Sequence, residues 1–286
     1  GTNRGCALIS GGSIKCWGDG YLGDGGYSNY STPPVSVKIS NATKVSAGGG
    51  HSCALIDNGT IECWGGGNYG KIGDGSTSSR STPVAVSSIS TATDISSRYS
   101  HSCAVLSGGT VKCWGWNNRG QLGNGNTTDQ TSPVSVSGIS NATQVSVYGE
   151  HTCARLNDST IKCWGYNPFG QLGDGTSTSR TTPVAVSGIS NATKVYVGID
   201  YSEFSCALLS DSTVKCWGSN SYGQIGDGST STRYTPVAVS GISNATQISV
   251  SRYHVCARLS DATIKCWGSN DSGQLGDGKK GSSNNA

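Results

Sequence analysis

The chain has 286 residues, a formal net charge of +3 and only 13% charged residues, and its basic residues are scattered, so the electrostatic case for nucleic acid is weak and it is not the expected partner. No apolar run approaches the ~18 residues of a membrane helix, which argues against membrane insertion. The 43 glycines and the Ser- and Thr-filled loops suit many tight turns rather than long helices, and the expected class is all-β.

One string recurs from end to end. Its anchor, Cys-x9-Cys-Trp-Gly, occurs six times: at Cys6 and Cys16, Cys53 and Cys63, Cys103 and Cys113, Cys153 and Cys163, Cys206 and Cys216, and Cys256 and Cys266. A step of about fifty residues is the period of a repeat array or propeller. The repeats leave no separate block for a second core, so one domain is expected over residues 1–278, followed by a polar tail at 279–286. The sequence opens at Gly1, shows no signal peptide and contains no Met, which reads as a processed chain or a fragment.

In chain order within one repeat, Lys194 to Val197 is a short β-branched run, strand A, and Cys206 to Leu209 is strand B. A hairpin turn follows, Asp57-Asn58-Gly59 in the second repeat. Pairing Cys53 with Cys63 sets Leu55 opposite Ile61 and Ile56 opposite Thr60, which leaves a three-residue loop ending in a left-handed Gly. Directly opposed residues on antiparallel strands lie close enough for a disulfide, so each Cys pair is expected to staple strand B to strand C of its own repeat. A metal site built from His51, Cys53 and Cys63 is disfavoured, because Cys-x9-Cys is not a zinc-finger spacing. Twelve cysteines in paired spacing point to an oxidising compartment, and the expected location is secreted or cell-surface.

Strand C is Ile161 to Trp164, ended by Gly165. The Trp recurs as Trp17, Trp64, Trp114, Trp164, Trp217 and Trp267, and is most simply packing between blades. A turn-rich Gly-Gln-Leu-Gly-Asp-Gly excursion leads to strand D, Thr182 to Val186, whose Pro at the start suits an edge strand. Four short antiparallel strands make one propeller blade. Six hairpins are present but only five Pro-Val strands, at Pro34, Pro83, Pro133, Pro183 and Pro236. Lys279 to Ala286 stand where the last strand D belongs, and Gly1 to Gly5 leave little room for a first strand A. The expected fold is therefore a β-propeller of about six four-stranded blades, incomplete at both ends, with one disulfide per blade. Unpaired edges invite strand addition from another chain.

These residues, His-x-Cys-Ala-Leu, Thr-Val-Lys-Cys-Trp-Gly-x-Asn-x-x-Gly-Gln-Leu-Gly and Thr-Pro-Val-x-Val, resemble the repeat of the regulator of chromosome condensation family over almost the whole chain. The resemblance implies a β-propeller, often of seven blades. It does not imply one activity: the family's nuclear founder is an exchange factor for a small GTPase, and a bacterial relative inhibits β-lactamases. Neither set of contact residues belongs to the repeat motif, so neither is carried onto this sequence, and the cysteine content argues against a nuclear role.

Candidate chemistry is sparse. His51, His101, His151 and His254 each stand two residues before the first Cys of a repeat. A ring of imidazoles suggests metal binding or pH sensing, but Phe204 replaces His in the fifth repeat, which favours a signature His bonded to its own loop. Gly18 to Gly23 and Gly65 to Gly70 both fit G-x-G-x-x-G, yet no helix is expected after either to receive a phosphate. Asp24, Asp74, Asp174, Asp227 and Asp277 recur between glycines, with Asn124 in the third repeat, as suits turn residues better than calcium ligands. Asn41, Asn141, Asn191 and Asn244 are possible glycosylation sites in a host with the machinery, but a polar connector turn is the favoured reading. No cofactor and no catalytic residue is expected.

The copies differ most in their A–B and C–D loops, which an up-down-up-down blade places at one end, away from the hairpin turns and sequons. The A–B loops carry Arg98 and Tyr99; Tyr148 and Glu150; Tyr201, Glu203 and Phe204; and Arg252 and Tyr253. The C–D loops carry Tyr69, Trp116, Arg119, Tyr166, Phe169 and Tyr222. Tyr, Trp and Arg are enriched at binding hot spots, although aromatics also cover gaps between blades. The expected function is a non-enzymatic recognition scaffold for a protein or glycan. The alternative is a structural subunit of a surface filament whose chains complete each other's end blades, and an enzyme is the least favoured reading.

Overall fold

The computed structural model describes residues 4–198, 203–283, 285 and 286, with the side chains of 30–32 excepted. Among them the structure is almost entirely strand and turn, and the one helical element is a short 3-10 turn at Asn68–Gly70. The chain forms two compact units, Gly1–Val147 and Tyr148–Ala286.

In the first unit, β1 (Arg4–Leu8), β2 (Ile14–Gly20) and β3 (Ser28–Ser36) form a three-stranded sheet. Next comes a four-stranded sheet of β4 (Ala42–Ala47), β5 (His51–Ile56), β6 (Ile61–Gly65) and β7 (Arg80–Ala85). Another holds β8 (Ala92–Arg98), β9 (His101–Leu106), β10 (Val111–Gly115) and β11 (Gln130–Ser135). The following sheet runs in the order β12 (Ala142–Tyr148), β13 (His151–Leu156), β14 (Ile161–Gly165) and β15 (Arg180–Ala185). In the second unit, β16 (Ala192–Val197), β17 (Phe204–Leu209), β18 (Val214–Gly218) and β19 (Arg233–Ala238) form a four-stranded sheet. The last sheet is three-stranded, from β20 (Ala245–Val250), β21 (His254–Leu259) and β22 (Ile264–Gly268).

All six Cys pairs stand directly opposite one another on strands B and C of their own sheet, and all are bonded as the spacing predicts. Cys6 is joined to Cys16, Cys53 to Cys63 and Cys103 to Cys113. Cys153 is joined to Cys163, Cys206 to Cys216 and Cys256 to Cys266. Their Cα atoms are 4.0 to 4.1 Å apart, and no cysteine is left free to act as a thiol or metal ligand. Cys16, Cys113 and Cys216 are fully buried against the sheet core, whereas Cys266, in the last sheet, is half-buried. The turn geometry fixes the register. Leu55 faces Ile61, the Ile56 N–H donates to Thr60 O at 3.0 Å, and Gly59 takes the left-handed conformation at φ 79° that a three-residue hairpin requires.

Strand D begins two residues earlier than the sequence suggests, at Arg180 rather than Thr182. Cys163 pairs with Val184 and Gly165 with Arg180, and the register shifts between them. Pro183 lies in that irregular stretch of an edge strand, where the ladder asks no N–H of it. In the last sheet the tail enters the corresponding place: Ser283 and Gly268 exchange backbone bonds of 2.8 and 2.9 Å. That is the register of Arg233 on Gly218 one sheet earlier.

The core lies between successive sheets. Trp64, Trp114, Trp164, Trp217 and Trp267 are fully buried, whereas Trp17 is 39% exposed. The indole N–H of Trp114 donates to Lys71 O at 3.0 Å, that of Trp217 to Gln171 O at 2.9 Å and that of Trp267 to Gln224 O at 3.0 Å. Each of these three docks on the excursion of the repeat before it. The Trp17 ring lies over Gly5. Neighbouring A strands are also tied laterally: Ser97 Oγ donates to Ser46 O at 2.8 Å, and Asp94 pairs with Lys44 while accepting from the Val145 N–H at 3.0 Å.

Candidate functional site

The C–D excursion is shaped by two side chains to which the sequence reading gave no role. Asn117, Asn167, Asn220 and Asn270 of the Cys-Trp-Gly-x-Asn string are completely buried. The carboxamide of Asn167 donates to Thr176 O and Thr178 O, both at 3.1 Å, and its oxygen accepts from the Leu172 N–H at 2.9 Å. Asn220 repeats the pattern. The Gln of Gly-Gln-Leu-Gly then accepts, through Oε1, the N–H two residues before it: Arg119, Phe169, Tyr222 and Ser272 are held at 2.9 to 3.0 Å. That residue is the loop tip. Phe169 is 44% exposed and Tyr222 37%, so the scaffold offers a variable side chain to solvent from a repeated turn.

Asp–Arg pairs close the same excursion. Arg80 Nε donates to Asp74 Oδ2 at 2.6 Å, Arg233 to Asp227 at 2.6 Å, and Arg180 Nη2 to Asp174 at 2.9 Å. Burial acts to raise these carboxyls, but bonds from Arg80 and Ser76, from Thr176 and Arg180, and from Ser229 and Arg233 outweigh it and hold all three below the usual range. The third repeat changes both members together, to Asn124 and Gln130.

A–B and C–D loops meet within each unit. In the first, Trp116 lies with its ring centre 5.8 Å from Tyr69 and 6.5 Å from Tyr99. Arg98 and Arg119 are exposed beside these loops. In the second, the Tyr222 and Tyr253 rings are 4.4 Å apart, and the Arg252 guanidinium stands 4.8 Å over the Tyr253 ring. Glu150 and Tyr166 are partly exposed.

Three proposed contact residues are instead interior. Phe204 opens β17 and is fully buried, Tyr148 ends β12 at 5% exposure, and Glu203 is 6% exposed. Phe204 and Tyr148 pack in the apolar clusters of the second unit, and Glu203 accepts from Gln171 Nε2 at 2.8 Å, so none presents its side chain to a partner. Tyr201 lies outside the described residues.

His51 and His151 bond the neighbouring repeat, not their own loop. His51 Nε2 is 2.7 Å from Ser102 Oγ and His151 Nε2 is 2.9 Å from Ser205 Oγ. With Glu203 3.6 Å from His151 Nδ1, the second group has the composition of a hydrolase triad. Its geometry opposes that use. Ser205 is fully buried, and its hydroxyl donates to Gln171 O at 3.1 Å, so the proton runs away from His151 rather than toward it. Ser102 makes the corresponding bond to Lys71 O at 3.4 Å, as expected of a repeated strut. Among the described residues no cluster of three or more His, Cys, Asp or Glu is placed to hold a metal.

Asn41 is exposed at φ 60°, and Asn141, Asn191 and Asn244 are partly exposed. Their sequon threonines bond inward, Thr193 Oγ1 to Leu208 O at 3.0 Å and Thr246 Oγ1 to Arg258 O at 3.1 Å. Thr93 does the same to Val105 O where the sequon Asn is replaced by Thr91.

The repeat described as Regulator of chromosome condensation (RCC1) matches residues 58–105, 108–155, 163–205 and 212–258, and a second form of it matches 42–71, 92–121, 142–171 and 245–274. No curated protein sequence matches significantly. Among solved structures, human WBSCR16 is similar, at 20% identity over 99% of this chain and 78% of its own, with a TM-score of 0.85. Yeast RCC1 (Prp20), solved with Kap60, is 17% identical over 100% and 72% of the two chains, with a TM-score of 0.85. The ectodomain of the Arabidopsis thaliana receptor kinase ACR4 is 18% identical over 94% and 77%, with a TM-score of 0.54. At these identities the likeness carries the fold, a β-propeller.

Proposed function

The chain belongs to the regulator of chromosome condensation (RCC1) repeat family, and from that premise we propose that it is a non-enzymatic recognition scaffold, acting outside the cell or at its surface, whose loop end takes a protein or glycan ligand. Members of this family are typically protein-interaction scaffolds or exchange factors. Its relatives are usually nuclear or cytosolic. The six disulfides of this chain favour an oxidising compartment, because a reducing one would leave them open.

The observation that carries the reading is the pair of aromatic clusters at the loops, Tyr69, Tyr99 and Trp116 in one unit and Tyr222, Tyr253 and Arg252 in the other. They occupy positions where the repeats diverge, on turns that are otherwise uniform. Rigid aromatics and Arg give large contact area for little conformational entropy. Arrays of glycans and of extracellular protein domains test this when probed with the chain and with the Y99A/W116A and Y222A/Y253A variants. The expected result is a ligand whose binding at least one variant weakens by about 2 kcal/mol or more; a ligand unaffected by both removes the loop end from consideration.

A second reading, self-association, is favoured by the first sheet, which among the described residues has three strands with β1 at its edge. Light scattering that shows mass growing with concentration supports it, and a constant monomer mass excludes it.

A further inference from the structure

We propose that a cavity between the first two repeats of the first unit binds a carboxylate ligand of the size of one sugar acid. The cavity holds about 350 Å³, and Arg4, Asp19, Tyr21, Tyr27, Gly50 and Gly66 are among its walls. It stands independently of the aromatic clusters described above.

Arg4 lines the cavity, and Lys71 lies against two of its wall glycines. Arg4 occupies the position, two before the first Cys, that His51, His101 and His151 hold elsewhere. Its Nε and Nη1 donate to Gly48 O at 3.3 Å and Tyr21 O at 3.2 Å, but its buried Nη2 has no partner among the described residues. Lys71 occupies the position of Gln121, Gln171, Gln224 and Gln274. Only 8% of it is exposed. A Cβ added at Gly50 would come within 3.0 Å of its Nζ and one at Gly66 within 3.7 Å, so the ammonium lies against two glycines of the cavity wall. No hydrogen bond or ion pair of that ammonium occurs among the described residues. Burial pushes Lys71 down to about 8, with Arg4 adding to the effect, and Arg4 down to about 10. Burial also holds His51 well below its ordinary range, helped by Lys71, Arg4 and His101. Buried, uncompensated cations are costly unless an anion completes them.

The opening is built by the same repeat. Gly50 stands where other repeats have Ser100, Glu150, Glu203 and Tyr253, and Gly66 where they have Trp116 and Tyr166. Arg4 and Lys71 supply the positive charge that a ligand carboxylate completes. Tyr21 and Tyr27, edge to face at 4.9 Å, supply an aromatic wall for the C–H face of a sugar ring.

Calorimetric titration of the oxidised chain with glucuronate, glucose, acetate and inorganic phosphate tests the proposal. K71Q and R4H serve as variants, since each installs the residue that other repeats carry at that position, with circular dichroism to check that each is folded. Glucuronate is expected to bind, with the three other probes and both variants each weaker by about tenfold or more, the size of one lost charge-assisted contact. Absence of glucuronate binding, glucose, acetate or phosphate binding as tightly, or affinity unchanged in K71Q and R4H would overturn it.

Discussion

A glutamine sets the tip of each C–D loop from the third repeat onward, because its carboxamide oxygen accepts the N–H two residues earlier. In the second repeat Lys71 cannot accept, and Tyr69 sits at φ 65°. The same substitution has a thermodynamic signature. Folding lowers the Lys71 pKa from 10.5 to about 8, so between those values the unfolded chain holds more protons than the folded one. Stability therefore rises with pH across that window and is diminished below it. Between pH 8 and 10, before Arg4 and Tyr196 contribute, denaturation is expected to show a gain of order 2–3 kcal/mol. K71Q should be more stable than the parent at pH 7 and flat across the same range. The Asp–Arg pairs give a second residue-scale expectation. Asn124→Asp with Gln130→Arg restores in the third repeat the contact seen at Asp74 and Arg80, and should raise stability by about 0.5–1 kcal/mol while either change alone gains less. A double-mutant cycle measures the difference.

At the scale of the element, the B–C hairpin was fully legible in the sequence. A three-residue turn and a cross-strand Cys pair admit one register, and it is observed in every repeat, from Cys6 opposite Cys16 to Cys256 opposite Cys266, with Ser159, Ser212 and Ala262 taking the left-handed position that Gly12, Gly59 and Gly109 hold in the first three. Replacing Cys153 and Cys163 by Ala together should lower unfolding stability by about 2–3 kcal/mol, and a smaller loss would assign the hairpin's stability to packing instead. Strand D was misplaced by two residues because Pro183 marks an irregularity inside the strand, not its beginning. The His bonds were misassigned because their partners, Ser102 and Ser205, lie 51 and 54 residues away. The signal was present all the same: Ser or Thr precedes the first Cys as Ser52, Ser102, Thr152 and Ser205. Phe204 and Glu203 were read as loop residues because an insertion near Tyr201 hid how early β17 begins, and Tyr148 because β12 runs one residue past its β-branched stretch.

For the whole molecule, periodicity alone yielded the blade count and the short end sheets, because each repeat is one unit that buries its apolar face only against a neighbour. The tail was not legible. Nothing in Lys279 to Ala286 has strand patterning, yet Ser283 takes the register of a D strand through backbone bonds that any residue can make. The partner was not legible either, since the recurring residues build turns and the variable tips carry the chemistry. The most direct test of the recognition account is amide hydrogen exchange of the chain with and without a ligand found on the arrays. Protection is predicted in the loops at 66–70, 98–100, 116–120 and 220–223. Protection confined to the hairpin turns at 57–59, 107–109 and 157–159, with the loops unchanged, would contradict the account.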